Sequence, residues 1–194
     1  RWTAREGIRD LQVPGRGSLA WGINEGGTII GRMVNAQNRW HGFVWQSGQP
    51  VLDLGTLGGE GSAPKALNES GKVVGYASLP DGSSHAFLWT ASGGMKDLGT
   101  LGGDESCALG INDAGDVVGW SKTADGMRRA FVWTASHGMQ MLDSLGENSC
   151  TAIAIDNSGT ILGNVITKSG QMRACLWQPV NANEISGNLT QAQN

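Results

Sequence analysis

Trp2, Trp45, Trp89, Trp133 and Trp177 follow one another at spacings of 43, 44, 44 and 44 residues. A chain that repeats at such a period folds as a set of like units, each burying apolar faces against the next. Two further registers keep the same step: Gly31, Gly75, Gly119 and Gly163, and Asn24, Asn68, Asn112 with Asp156 as the variant member. The period predicts one repeat domain over 1–178, with units near 18–61, 62–105, 106–149 and 150–178, the last taken together with 1–17. Residues 179–194 then form a tail or a closing strand.

Each unit holds four short apolar runs of strand length, and none carries a helical stripe of ten or more residues. In the third unit the runs are Ala108 to Asn112, Val117 to Ser121, Ala130 to Thr134 and Met139 to Leu142. Between the first two lies Asn112-Asp113-Ala114-Gly115. Asn or Asp opening a turn with Gly three positions on is the chemistry of a type I turn whose closing residue is left-handed. Pro80-Asp81-Gly82, Asp125-Gly126, Ser92-Gly93-Gly94 and His137-Gly138 supply the other hairpins. Four antiparallel strands in about 44 residues is the pattern of a β-propeller blade. The expectation is therefore an all-β fold, a propeller of four blades closed by N- and C-terminal strands. Gly7 to Leu11 matches a fourth strand and completes the last unit, which has only three clear strands from Cys150 to Trp177. Glu184 to Leu189, which echoes Asp97 to Leu101, is the rival for that place.

Along the third strand His85, Phe87 and Trp89 share one face and Ala86 and Leu88 the other, so the repeated Trp residues are read as core between blades. Composition narrows the rest. The 194 residues include 31 glycines, yet apolar residues are spread throughout, which excludes a disordered linker. Charged residues are only 16% and the net charge is −3, so there is neither a nucleic-acid footprint nor a polybasic membrane surface. No apolar run reaches the ~18 residues of a transmembrane helix. Cys107, Cys150 and Cys175 are sparse, odd in number and without a C-x-x-C pair, so they read as buried or unpaired thiols rather than zinc ligands. No metal and no cofactor is expected.

One set of motifs is specific: His85-Ala86-Phe87-Leu88-Trp89-Thr90, Gly94-Met95-Lys96-Asp97-Leu98-Gly99-Thr100-Leu101-Gly102-Gly103, Ile111-Asn112 and Val117-Val118-Gly119. These resemble the HAF-type extracellular repeat family of bacterial surface and secreted proteins, over nearly the whole chain to about Trp177. The second unit fits best. The others place Gly42 for Ala, Arg129 or Arg173 for His, and Cys175 for Phe. The resemblance implies an extracellular or cell-surface location and a repeat architecture. It implies no reaction and no catalytic residues.

Strand direction puts the loops between units and the loops between second and third strands at one end of the blades, the loop face. An inner acidic set, Glu60, Asp104, Glu105 and Glu147, is expected there, with Asp104 and Glu105 pointing apart as neighbours on a strand start. Around it lies a column of equivalent cationic positions, His41, His85, Arg129 and Arg173, read either as a cationic ring or as groups pairing with nearby acids. Off-period aromatics add stacking surface: Trp40, Tyr76 and Trp120, with Trp21 standing where other units have Lys65, Leu109 and Ile153. Tyr76 and Trp120 match Arg32 and Asn164. Convergent polar groups and rings of this kind bind a sugar or uronate.

Catalytic signatures are missing: no G-x-S-x-G, no H-E-x-x-H and no P-loop. Gly15 to Ala20 imitates a dinucleotide fingerprint but precedes a strand rather than a helix. The expected function is a binding module that recognises a glycan or a protein through the loop face, and the balance leans away from an enzyme. The alternatives are a polysaccharide lyase or hydrolase using the same face, and a structural spacer within a larger surface protein.

Overall fold

The computed structural model describes residues 7–144 and 149–179. The described chain is all-β. Unit 1 comprises β1 (Ser18–Ile23), β2 (Ile29–Val34), β3 (Trp40–Trp45) and β4 (Leu52–Asp53). Unit 2 comprises β5 (Ser62–Leu67), β6 (Val73–Ser78), β7 (Ser84–Thr90) and β8 (Gly94–Asp97), and unit 3 comprises β9 (Gly102–Ile111), β10 (Val117–Thr123), β11 (Arg128–Thr134) and β12 (Gly138–Met141). Unit 4 has β13 (Ser149–Ile155), β14 (Ile161–Ile166) and β15 (Met172–Trp177). Within each unit consecutive strands pair antiparallel, as the turn chemistry requires.

The repeated residues each have a local cause. In the first hairpin Asn24, Asn68 and Asn112 take the amide of the residue four positions on through Oδ1, and Asp156 does the same for Thr160. Gly27, Gly71, Gly115 and Gly159 close those turns at φ of +77°, +76°, +95° and +86°, where a Cβ is strained. The second glycine series answers a different demand. A Cβ on Gly31, Gly75, Gly119 or Gly163 falls on the carbonyl oxygen of Leu19, Ala63, Cys107 or Thr151 in the preceding strand.

Units pack face to face in chain order. The face of unit 2 that carries Val73, Phe87 and Trp89 meets Ile30, Val44 and Leu54 of unit 1. Its other face, with Val74, Ala86 and Leu98, meets Val117, Phe131 and Trp133 of unit 3. Val118 and Ala130 continue the pattern against Cys150, Ile161 and Val165 of unit 4. Phe87 and Phe131 are fully buried between units, and Trp89 and Trp133 nearly so, which is the interunit role that strand alternation predicts; Phe43 is fully buried as well. Trp45 and Trp177 are partly buried, and Trp2 lies outside the described residues.

Polar staples cross each junction at the same register. Gly42 N–H donates to Ser62 Oγ at 2.9 Å, Ala86 N–H to Ser106 Oγ at 2.8 Å and Ala130 N–H to Cys150 Sγ at 3.1 Å. The first hairpins form a ladder: Asn24 Nδ2 donates to Asn68 O, Asn68 Nδ2 to Asn112 O and Asn112 Nδ2 to Asp156 O, each partner 44 residues on.

Three details depart from expectation. The loop that was to carry Asp104 and Glu105 is strand, because β9 begins early, with Gly102 opposite Thr123 and Glu105 in a parallel bridge to Ser84 of β7. Gly7 to Leu11 is not a strand. Residues 8–12 lie instead beside Trp45 and the β3–β4 connection at Gly48 to Val51. Unit 4 therefore keeps three strands among the described residues, and the sheets do not close into a ring. The rival closing segment, 184–189, lies outside the described residues.

Candidate functional site

The loops expected at one end do meet there: Gly59 N–H and Ser78 O are 3.0 Å apart, and Ser78 N–H reaches Gly61 O at 2.9 Å, tying the connection between units 1 and 2 to the end of β6. Every first strand carries a bulge at one register, between Ala20 and Gly22, between Pro64 and Ala66, opposite the Val118–Gly119 step of β10, and between Ala152 and Ala154. The bulged residues are Trp21, Lys65, Leu109 and Ile153. A bulge leaves its residue unpaired and re-aims its side chain, and here the residue differs in every unit.

At units 1 and 2 the re-aimed side chains meet the residues that follow the repeated glycines on the second strands. The Arg32 guanidinium carbon lies 5.9 Å from the Trp21 ring centroid and 5.3 Å from that of Trp40. Lys65 Nζ is 4.4 Å from the Trp21 centroid and 5.5 Å from that of Tyr76. Tyr76 in turn lines a recess of about 300 Å³ with Ser84, Glu105, Ser106, Cys107 and Trp120, and the Arg128 guanidinium carbon stands 3.9 Å from the Trp120 centroid. The result is a line across three units, Trp40, Arg32, Trp21, Lys65, Tyr76, Trp120 and Arg128, in which three cations are interspersed among four rings. Each such contact is worth about 0.5–1 kcal/mol at an exposed site.

The cations of this line differ from the other basic residues of the same end. Arg39 pairs with Glu60 at 2.9 Å, and Lys122 reaches Asp104 at 3.3 Å and Glu105 at 3.1 Å. The Glu105 and Asp104 carboxylates raise the Lys122 pKa. Adjacent acids expected to point apart thus share one ammonium. Arg32, Lys65 and Arg128 form no such pair among the described residues, and Arg32 Nε is shielded from solvent without a hydrogen-bond partner.

Of the expected cationic column, His41 Nδ1 bonds the Asp53 carboxylate at 3.0 Å and His85 Nδ1 that of Asp97 at 2.9 Å. His41 Nε2 also meets Asn35 Nδ2 at 3.2 Å. The acid comes from the neighbouring fourth strand, twelve residues on, and Met141 holds that place in unit 3. Arg129 is the second residue of β11, near Asp125, whose carboxyl is held below its usual range first by the Thr123 hydroxyl and the Met127 amide, with Arg129 adding a smaller attraction. Arg173 is exposed on β15 and reaches Gln171 Oε1 at 3.4 Å. Glu147 lies outside the described residues. Of the residues singled out in the sequence, Tyr76, Glu105 and Trp120 come together in one recess, and Trp40 joins them through Arg32.

Cys107, at the floor of that recess, is pushed up to about 11 by burial, against smaller opposing effects of Lys65 and Arg128. A thiol so protonated is a poor nucleophile. All three cysteines are free, Cys107 and Cys150 buried. Among the described residues no group of three or more His, Cys, Asp or Glu side chains is placed to hold a metal ion.

No family model matches the chain, and no curated protein matches it.

Proposed function

We infer that the protein is a binding module for an acidic glycan, held along the line of cations and rings from Trp40 to Arg128. The observation that carries this reading is Arg32, a guanidinium set between Trp21 and Trp40 that has, among the described residues, no acidic partner and a shielded, unbonded Nε. A carboxylate takes two parallel N–H bonds from such a fork, while the flanking rings offer apolar faces to the sugar. Lys65 and Arg128 repeat the combination further along, as a chain of uronic acid residues would require. The blades of a β-propeller are the architecture we assign to the four repeated units, and an extracellular or cell-surface setting, the one the repeat motifs imply, suits a polysaccharide ligand.

Acid/base catalysis fits less well. Glu60 is engaged by Arg39, and Asp104 and Glu105 by Lys122, so these carboxylates are already committed to ion pairs within the protein. The test is a paired screen on one preparation: an array of neutral and uronic-acid glycans, and an assay for new reducing or unsaturated ends. Retention of acidic glycans without product supports the binding module. Product formation replaces it with a depolymerase, and silence in both arms replaces it with a spacer.

A further inference from the structure

All three internal junctions are built alike. An alanine or glycine on the third strand of one unit, Gly42, Ala86 or Ala130, donates its N–H to position 62, 106 or 150 of the next, and its carbonyl accepts from Leu54, Leu98 or Leu142 N–H. Backbone N–H groups of Glu25, Glu69 and Asp113 reach the side chains of Glu69, Asp113 and Asn157 in the following unit. Apolar residues beside these bonds fill the space between sheets.

Among the described residues, the two ends of the stack hold the unused halves of this junction. On unit 4, Leu162 and Leu176 occupy the places of the buried Val118 and partly buried Val132, yet they are 46% and 61% exposed. Ala174 occupies the place of Ala130 on β15, which has no fourth-strand partner among the described residues. On unit 1, Ser18 stands at the register of Ser62 and Ser106, and Ile23 at that of Leu67 and Ile111, and both are exposed. Residues 8–12 already lie against Trp45, with Leu11 in the position that Leu54 takes toward unit 2.

We propose that unit 4 of one molecule docks onto unit 1 of a second copy, head to tail, by a fourth instance of the internal junction. Ala174 N–H meets Ser18 Oγ of the second copy, Leu11 N–H of that copy meets Ala174 O, and Asn157 N–H meets its Glu25 carboxylate. Leu162 and Leu176 cover Ile23 and the edge of Trp45. Continuity with three existing interfaces selects this occupant, since the strand staple, the side-chain acceptor for the Asn157 amide and the apolar residues on one end find their counterparts at the same register on the other. One rung of the hairpin ladder is lost, because Asp156 has no amide to donate. A junction between unlike faces propagates or closes as a ring of copies, rather than stopping at a symmetric dimer.

Sedimentation of the full chain across the micromolar range gives masses that rise in whole multiples of the chain. A back-face variant, L162D/L176D, and a front-face variant, I23D, are each monomeric, and an equimolar mixture forms only a heterodimer through the two intact faces. A second route does not depend on those substitutions folding well: in S18C/A174C, oxidation links chains into a ladder on a non-reducing gel. A parent that stays monomeric throughout, variants that assemble alone, or a disulfide formed only within one chain overturns the proposal, the last in favour of closure of the chain on itself.

Discussion

Ser106 joins units 2 and 3 through two short bonds, accepting from Ala86 N–H at 2.8 Å and donating to Gly99 O at 2.6 Å, and it is 1% exposed. Ser106→Ala keeps the backbone and most of the volume, so the change isolates the polar term. Ala86 is itself fully buried, and its amide loses its acceptor without gaining water, which costs about 1–3 kcal/mol. The lost donor to Gly99 O, a carbonyl near the surface, adds about 0.5–1 kcal/mol. A total of about 1.5–4 kcal/mol lowers the urea midpoint by about 0.8–2 M at a slope of about 2 kcal/mol/M. Ser106→Cys is the control, because Cys150 Sγ accepts the equivalent bond from Ala130, and it recovers about 1 kcal/mol or more. Urea titration followed by circular dichroism gives both values, and amide exchange at Ala86 reports the same bond locally. A loss below about 0.5 kcal/mol for Ser106→Ala, with Ala86 exchange unchanged, refutes the idea that these staples hold the units together.

Trp133→Ala and Trp89→Ala, each removing a ring buried between units, cost about 3–5 kcal/mol by thermal or chemical unfolding, with no selective effect on ligand binding. Gly119→Ala costs about 3 kcal/mol or more, or prevents folding, since its Cβ falls on the Cys107 carbonyl and Ala108 Cα; Gly126→Ala, at φ of +78° in open space, costs only about 1 kcal/mol. Cys107 binds its proton more tightly folded than unfolded, so its contribution to stability is present below pH 9 and is lost as pH rises from the ordinary value of 9.0 towards about 11. Unfolding titrations in that window show stability falling by about 1.4 kcal/mol per pH unit for this group, and thiol labelling at pH 8 leaves Cys107 unmodified until the chain unfolds.

The strands, hairpins and interunit core were legible because each rests on a residue whose physical demand is local. Gly31 and its equivalents sit under a carbonyl, Asn24 and its equivalents brace a turn, and Phe87 and Trp89 alternate with Ala86 and Leu88. The staples at Ser62, Ser106 and Cys150 keep the 44-residue step as well, but the exchange of hydroxyl for thiol hid the shared role of an acceptor. The His41–Asp53 and His85–Asp97 pairs were readable from their equal spacing of twelve. The line of cations and rings was less legible. Trp21, Tyr76 and Trp120 stood out as departures from the period, whereas Arg32 and Lys65 entered only as the residues standing at equivalent positions, because the direction a bulge gives its side chain is set by pairing with the next strand and leaves no mark in composition. How the ends of the stack are covered depends on the rotation between units, a sum of small packing terms that no single residue encodes.

Calorimetric titration of an oligouronate into the parent and into Arg32→Gln, at low and at physiological salt, tests the proposed site most directly. The account predicts binding that weakens with salt, because exposed charges are screened over ~8–10 Å, and at least a ~10-fold loss in Arg32→Gln, about 1.4 kcal/mol, with Arg173→Ala unchanged as a control. Affinity for acidic and neutral oligosaccharides that is equal, insensitive to salt and unaltered by Arg32→Gln contradicts it.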